Sequence, residues 1–278
     1  MATEQANETP CTYDPLVALP ERYFHTVWTN PENLTTFVFN ILLTTKTVGQ
    51  IVWVEDLTND GREFIASNVL PDQQAFVFQG TTAVLRFVSW ECQRATRHIT
   101  AMLFRQPFIA SSGQKLGSVA SEACLRPSLE TAKQPDRCYF PSVRLLNSPP
   151  FTWPSFVMET GIVGWLDLLR NDVRWWFQHS AGRTHTVMLL IVNPVLQVVY
   201  LEQWQLCNTQ TPICVLQKTI GSMEVGGNDI QFDTAKLMDV APICLPRFVV
   251  KWRDLMDSLE EAFFLRPASN SVSHRYPG

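Results

Sequence analysis

The segment from Phe156 to Trp204 constrains the fold more than any other part of the chain. It opens with a short apolar run, Phe156–Glu159, which is typical of a buried strand. Helical spacing follows at once, and Ala181-Gly182 gives a helix end. Two further apolar runs, 187–192 and 197–204, join at Asn193-Pro194 and predict a hairpin. Strand, helix and hairpin in this order predict an α/β fold around a mixed sheet.

The helix in this segment is predicted from one apolar face. The residues on that face are Trp165, Leu166, Leu169, Val173, Trp176 and Phe177. Trp165 and Trp176 are therefore expected in the core, while Trp175 falls on the opposite side of the helix. Asp172 lies on the same helix, and we expect it to make a structural hydrogen bond or a salt bridge with its neighbours.

Shorter signals predict the remaining elements. Asn30, Pro31 and Glu32 combine an N-cap, a first-turn proline and a first-turn acid, which favours a helix start. Apolar residues at helical spacing also predict one long helix over 82–104. The other predictions are a helix over 34–45, strands over 50–55, 75–79 and 230–232, a turn at 59–61, a hairpin or loop over 106–134, and a helix over 253–264.

Composition excludes several classes of protein. With 46% hydrophobic and 17% charged residues, the 278-residue chain is expected to be globular rather than disordered. Its net charge of −4 argues against a general nucleic-acid coat protein, which needs excess positive charge. No signal peptide and no apolar span long enough for a membrane helix is recognisable. The seven cysteines are odd in number and lack CxxC spacing, which favours a reducing compartment. An intracellular protein, cytoplasmic or nuclear, with no membrane partner is expected.

Two carboxylates carry the chemical interest of the sequence. Asp136 follows Pro135 at a predicted turn, and Glu159 ends the apolar run. Carboxylate oxygens at strand ends can hold magnesium or manganese if they meet in space. Asp136 could instead be a turn aspartate that caps its own backbone. Glu159 needs a partner in either case, because a carboxylate in a core is costly when alone.

The order of motifs from Pro135 to Trp204 resembles the PD-(D/E)XK nuclease superfamily, and more narrowly a group of uncharacterised fungal proteins within it. Pro135-Asp136 is followed by Pro141, and a strand ends in Glu159, Thr160 and Gly161. A helix then carries a Leu…Asp-x-x-x-Trp pattern, and a glycine turn leads into two apolar strands. The residues that match these later motifs are Leu168 or Leu169, Asp172, Trp176, Gly182 and Glu202-Gln203-Trp204.

The resemblance implies a restriction-endonuclease-like mixed sheet flanked by helices. It also implies a Mg²⁺ or Mn²⁺ ion held by Asp136, Glu159 and the backbone carbonyl of Thr160, with nucleic acid as the partner. Asp136 and Glu159 would then be the catalytic residues. Arg170 and Arg174, on the following helix, are candidates for phosphate contacts.

Two departures from the superfamily pattern bear on activity. The superfamily lysine, two positions after the glutamate, is Gly161, and the fungal group shares this glycine. That group usually has serine two residues further on, where this chain has Val163. The lysine orients water and offsets negative charge, so its absence removes one catalytic function.

Two functions are therefore expected from the sequence. One is a degenerate, divalent-metal-dependent phosphodiesterase; the other is a non-catalytic scaffold or binding protein that retains the nuclease fold. Close approach of the two carboxylates would favour the first, and an arginine that neutralises Glu159 would favour the second. The predicted organisation is an N-terminal arm and extension over 1–79 that packs on the core, a nuclease-like domain over 80–265, and a disordered tail over 266–278.

Overall fold

The architecture is mixed α/β, as the sequence predicts. The computed structural model describes residues 18–45, 49–67, 69–70, 75–105, 117–120, 123–147, 152–207, 211–221, 229–239, 248–255 and 257. These residues form two six-stranded sheets, a two-stranded sheet, six α-helices and, after the last strand, the further helical residues 252–255 and 257. Each large sheet is mixed, because it contains one parallel pair of strands among antiparallel pairs.

The first sheet has the strand order β1-β2-β4-β3-β7-β6. Its strands are β1 (Phe24–Val27), β2 (Gly49–Glu55), β3 (Ala75–Gln79), β4 (Thr82–Val88), β6 (Leu125–Ser128) and β7 (Thr131–Gln134). Two helices, α1 (Pro31–Thr44) and α2 (Asn59–Ala66), connect its first strands and pack on one face. The predicted division at residue 80 stays a prediction, and β3 and β4 pair with each other across it.

The second sheet has the strand order β12-β11-β10-β9-β8-β5. Its strands are β5 (Gly117–Ala120), β8 (Arg137–Pro141), β9 (Phe156–Ile162), β10 (Thr186–Asn193), β11 (Val198–Leu206) and β12 (Pro212–Gly221). The parallel strands β9 and β10 are joined through α5 (Leu166–Ser180), since a parallel pair needs a crossover connection. The remaining elements are α3 (Trp90–Arg105), α4 (Ser142–Asn147), β13 (Ile230–Phe232), α6 (Thr234–Met238) and β14 (Phe248–Val250).

Local sequence signals explain the ends of two helices. Asn30 caps α1 because its side-chain oxygen accepts a hydrogen bond from the Asn33 amide at 2.9 Å, and Pro31 occupies the first turn. The helix α5 ends where Ala181 and Gly182 adopt positive φ angles of 50° and 78°. The strand, helix and hairpin predicted from Phe156 to Trp204 are confirmed, since β9, α5 and the hairpin of β10 and β11 follow in this order.

The predicted helix over 82–104 is wrong in its first third. Residues Thr82–Val88 form β4, and the helix begins only at Trp90. The run Val84-Leu85-Arg86-Phe87-Val88 is buried on both faces, because β4 lies between β2 and β3 and is covered from both sides. A doubly buried strand has no alternation of polar and apolar residues, so it imitates part of a helical pattern.

The structure also bears on three shorter predictions. The turn predicted at 59–61 is the first turn of α2, which Thr58 caps by accepting a hydrogen bond from the Gly61 amide at 3.3 Å. In the segment predicted as a hairpin or loop over 106–134, the described residues contain the hairpin of β6 and β7, one of the two alternatives, and also the strand β5. Of the helix predicted over 253–264, the described residues 253–255 and 257 are helical. The rest of that helix and the predicted tail over 266–278 lie outside the described residues.

Two hydrophobic cores lie on the two faces of the first sheet. Alternation along β4 separates them: Leu85 and Phe87 belong to the core under α1 and α2. Val84 and Val88 face the other way, into the core that contains α3, α5 and the second sheet. Arg86 lies between these two residues on the same face of the strand, so its side chain enters the second core. The chain crosses from the first sheet to the second at Pro135-Asp136, the link between β7 and β8.

Candidate functional site

Five charged side chains meet in the core between the two sheets, and we call them the charge cluster. Its cations, Arg86 and Lys133, come from β4 and β7 of the first sheet. Its carboxylates come from the link between the sheets, from β9 and from α5: they are Asp136, Glu159 and Asp172. None of the five is more than 5% exposed. Two cations against three carboxylates give a formal charge of −1.

Arg86 is the centre of the charge cluster. Its Nη2 donates to Glu159 Oε2 and lies 3.5 Å from Asp136 Oδ2. Its Nη1 lies 3.0 Å from Asp172 Oδ2, as a charge contact without the angle of a hydrogen bond. One guanidinium therefore contacts all three carboxylates. Asp136 and Glu159, whose meeting in space the sequence leaves open, contact the same guanidinium, which lies between them.

Lys133 contacts two of the same carboxylates. Its Nζ lies 2.7 Å from Asp172 Oδ1 and 3.5 Å from Glu159 Oε1. Asp172 thus bridges the two cations, which confirms the salt bridge expected for this residue.

Neutral donors complete the surroundings of the two catalytic candidates. Trp176 Nε1 donates to Glu159 Oε1 at 2.6 Å. The backbone amide of Thr160 donates to Asp136 Oδ2 at 2.6 Å. The other oxygen of Asp136, Oδ1, is buried and has no hydrogen-bond partner in the described part of the chain. Glu159 is therefore well compensated, whereas Asp136 is not.

The pKa values follow this unequal compensation. Burial raises the pKa of Asp136 to about 6, because the attraction of Arg86 and the Thr160 amide only partly offsets desolvation and the repulsion of Glu159. Burial also raises the pKa of Asp172, against the attraction of Lys133 and Arg86.

Glu159 and Arg86 shift in favour of their charged forms. Burial alone would raise the pKa of Glu159, but Arg86 and Lys133 outweigh it and hold that pKa below its usual value. Burial likewise opposes the charge on Arg86, yet Glu159, Asp136 and Asp172 together raise its pKa. The Arg86–Glu159 ion pair is thus the strongest charged contact of the cluster.

The geometry does not fit a divalent cation bound between Asp136 and Glu159. A metal ion needs oxygen ligands that converge on one point at about 2.0–2.6 Å. Here the space that both carboxylates face contains the guanidinium of Arg86. Across the described residues, no group of three or more His, Cys, Asp or Glu side chains has an arrangement that could hold a metal ion.

The two arginines predicted to contact phosphate lie apart from the charge cluster. Arg170 binds Glu202 on β11 through Nε at 3.2 Å and Nη2 at 2.5 Å. Arg174 is exposed on α5. Trp175, on the side of the helix opposite the predicted apolar face, is nevertheless fully buried, because the rings of Trp153 and Trp176 pack against it.

Sequence reasoning missed Arg86, Lys133 and the role of Trp176 as a donor. Arg86 sits inside an apolar run, and a charge in such a run signals a buried ion pair. The helical interpretation of 82–104 concealed this signal, because it placed Arg86 off the apolar face. Lys133, three residues before Asp136, had no comparable signal, since its neighbours are polar or small.

Packing explains why position 161 is glycine. A Cβ atom there would lie 2.9 Å from Trp165 Cε3 and 3.0 Å from Leu169 Cδ1. The start of α5 packs this tightly on β9, so the superfamily lysine has no room at this position. The cation nearest to Glu159 instead comes from β4, and a second one from β7.

Two further observations concern membrane helices and similarity to known proteins. None of the described helices is long and apolar enough to cross a membrane. The sequence matches no protein-family model and no curated protein. The similarity to PD-(D/E)XK nucleases therefore rests on the motifs and stays a prediction.

Proposed function

We propose that the chain is a non-catalytic binding or structural protein that retains a nuclease-like fold. The observation that carries this proposal is the position of Arg86 between Asp136 and Glu159. A carboxylate that already has an arginine and a tryptophan N–H as partners is a poor ligand for magnesium. The charge cluster then serves to hold the two sheets in one arrangement.

Burial supports the same conclusion. Phosphodiester cleavage needs a site that a phosphate and a water molecule can reach. Asp136 is 5% exposed and Glu159 is fully buried, so neither carboxylate is open to a nucleic acid. A reaction at this place would first require the two sheets to separate around the charge cluster.

The test combines metal titration with cleavage assays. Calorimetry with MgCl₂ and MnCl₂ should give no binding heat for the wild-type protein, and single- and double-stranded DNA and RNA should stay intact. The variants Asp136→Asn and Glu159→Gln serve as site mutants, and Asp167→Asn, an exposed acid at the start of α5, is the matched control. Cleavage that disappears in both site mutants but persists in Asp167→Asn would overturn the proposal, provided that the mutants remain folded by circular dichroism.

A second candidate is a degenerate metal-dependent nuclease that acts from an opened form. Lys133 favours it, because its Nζ lies 3.5 Å from Glu159 and brings a cation that position 161 cannot supply. Asp136 and Glu159 would be its ligand residues, and Arg170 and Arg174 would remain candidates for phosphate contacts. This function predicts nuclease activity that Lys133→Met abolishes and Arg183→Met, a change at an exposed turn, leaves intact.

A further inference from the structure

We infer that Arg86 and Lys133 are built-in counter-ions that take the place of a divalent cation between the sheets. This inference rests on the proposed function, and it explains the mismatch between the motifs and the geometry. The motifs predict carboxylates around a metal ion. The structure has the carboxylates, with two side-chain cations among them.

The charges support the substitution. Arg86 and Lys133 together bring two positive charges, the same number as Mg²⁺ or Mn²⁺. They are distributed over Asp136, Glu159 and Asp172, and every contact between opposite charges in the cluster is 3.5 Å or shorter. Without these cations, three carboxylates would share one buried space, which is costly unless another cation enters or the carboxylates take up protons.

The origin of the charges supports it as well. Both cations project from the first sheet, whereas the carboxylates lie on the link between the sheets, on β9 and on α5. The first sheet thus contributes both positive charges, whereas the negative charges come mainly from the second sheet and from α5. The spread of the guanidinium also keeps the three carboxylates from converging on one point.

Removal of a counter-ion should therefore create a demand for a metal ion. In Arg86→Ala, the guanidinium is replaced by a cavity lined by the oxygen atoms that contact it, which are Asp136 Oδ2, Glu159 Oε2 and Asp172 Oδ2. Carboxylate oxygens are the ligands that Mn²⁺ prefers. In Lys133→Met, Arg86 remains but the formal charge of the cluster falls from −1 to −2.

The experiment measures thermal unfolding with MnCl₂ and with EDTA. At an Mn²⁺ concentration about a hundredfold above its Kd, Arg86→Ala should gain about 5 °C in Tm. The double variant Arg86→Ala/Asp136→Asn should gain much less, and Arg170→Ala, which removes an arginine from Glu202, should gain nothing. If Arg86→Ala is unfolded in EDTA, recovery of its circular dichroism spectrum on Mn²⁺ addition is the expected result.

The outcomes separate this inference from the proposed function. If Mn²⁺ changes the Tm of neither Arg86→Ala nor Lys133→Met, the counter-ion inference is wrong, and the non-catalytic proposal stands. The counter-ion inference is also wrong if Arg86→Ala stays unfolded with Mn²⁺ and the Tm of folded Lys133→Met does not change. If wild-type protein itself binds Mn²⁺ and loses this binding in Asp136→Asn, the proposed function fails together with the inference.

Discussion

Two glutamates of the second sheet have the same kinds of partner but different surroundings. Glu159 on β9 is bound by an arginine and by the indole N–H of Trp176. Glu202 on β11 is bound by Arg170 and by the indole N–H of Trp204 at 2.9 Å. The side chain of Arg170 is 33% exposed, whereas that of Arg86 is 3% exposed. The same kinds of contact are thus made once with a buried arginine and once with a partly exposed arginine.

The difference shows how burial determines what an ion pair contributes to stability and what the loss of one partner costs. Glu202 is itself only 5% exposed, but water reaches its partner Arg170, so this pair adds less to stability than a pair with two buried members. Glu159 and Arg86 are both buried, so solvent cannot replace a lost partner and each charge depends on its neighbours. Removal of one partner of a buried pair is therefore far more costly than the pair is stabilising. The charge cluster is a requirement for the native arrangement more than a source of stability.

The largest effect is expected for Arg86→Met. It retains most of the side-chain volume but leaves three carboxylates with Lys133 alone, so we expect a loss of about 3–5 kcal/mol in the free energy of unfolding. Urea unfolding followed by circular dichroism measures this loss. Arg174→Met, an exposed change on α5, is the control and should stay within about 0.5 kcal/mol of wild type. Equal losses in the two variants would contradict the comparison.

The next effect concerns pH and Asp136. Its pKa is raised from 3.8 to about 6 in the folded protein, so the folded state holds a proton more firmly than the unfolded state. This contribution to stability is complete below about pH 4 and is lost as the pH rises through 6. Glu159, with its lowered pKa, contributes in the opposite direction: its share is present above its usual pKa and is lost as the pH falls.

Asp136→Asn isolates this contribution. Relative to wild type, the variant should gain on the order of 2 kcal/mol in unfolding free energy between pH 4 and 7. Urea unfolding at several pH values measures the difference. Asp167→Asn is the control, and a difference from wild type that changes equally with pH in both variants would refute the assignment to Asp136.

The sequence predicted the secondary structure around the charge cluster better than the contacts within the cluster. The strand at Phe156, the helix that ends at Ala181 and the hairpin at Asn193 each have a local signal, and all three are confirmed. The sequence left open whether Asp136 and Glu159 meet, and in the structure both contact Arg86. What the motifs could not supply is the partner, because Arg86 and Glu159 lie 73 residues apart along the chain and on different sheets.

Two features of β4 account for this failure. The strand is buried on both sides, so its apolar run lacks the alternation that marks a strand. The amphipathic helix that follows it at Trp90 extends the helical pattern backwards over it. On a helix over 82–104, Arg86 would lie away from the apolar face, so the predicted helix hides its value as a sign of a buried ion pair.

A smaller effect is expected for Gly161→Ala, which tests the absence of the superfamily lysine. The added Cβ would lie within about 3 Å of Trp165 and Leu169, so we expect a loss of about 1–2 kcal/mol in unfolding free energy. Gly164→Ala is the matched control, because its Cβ would meet nothing within 4 Å. Thermal or urea unfolding of both variants measures the contrast. If Gly161→Ala were as stable as Gly164→Ala, packing would not explain the glycine.

The smallest effect is expected for Arg170→Met and returns to the second glutamate. Because Arg170 is partly exposed, its loss should cost about 1 kcal/mol or less, and Glu202 would keep the donors Trp204 and Gln217. Salt separates the two sites further, since screening acts on exposed charges and hardly on buried ones. The cost of Arg170→Met should shrink between 0.1 and 1 M NaCl in urea unfolding, while that of Arg86→Met should stay the same. An Arg86→Met cost that shrinks equally would mean that water and ions reach the charge cluster, and this would favour the nuclease over the non-catalytic protein.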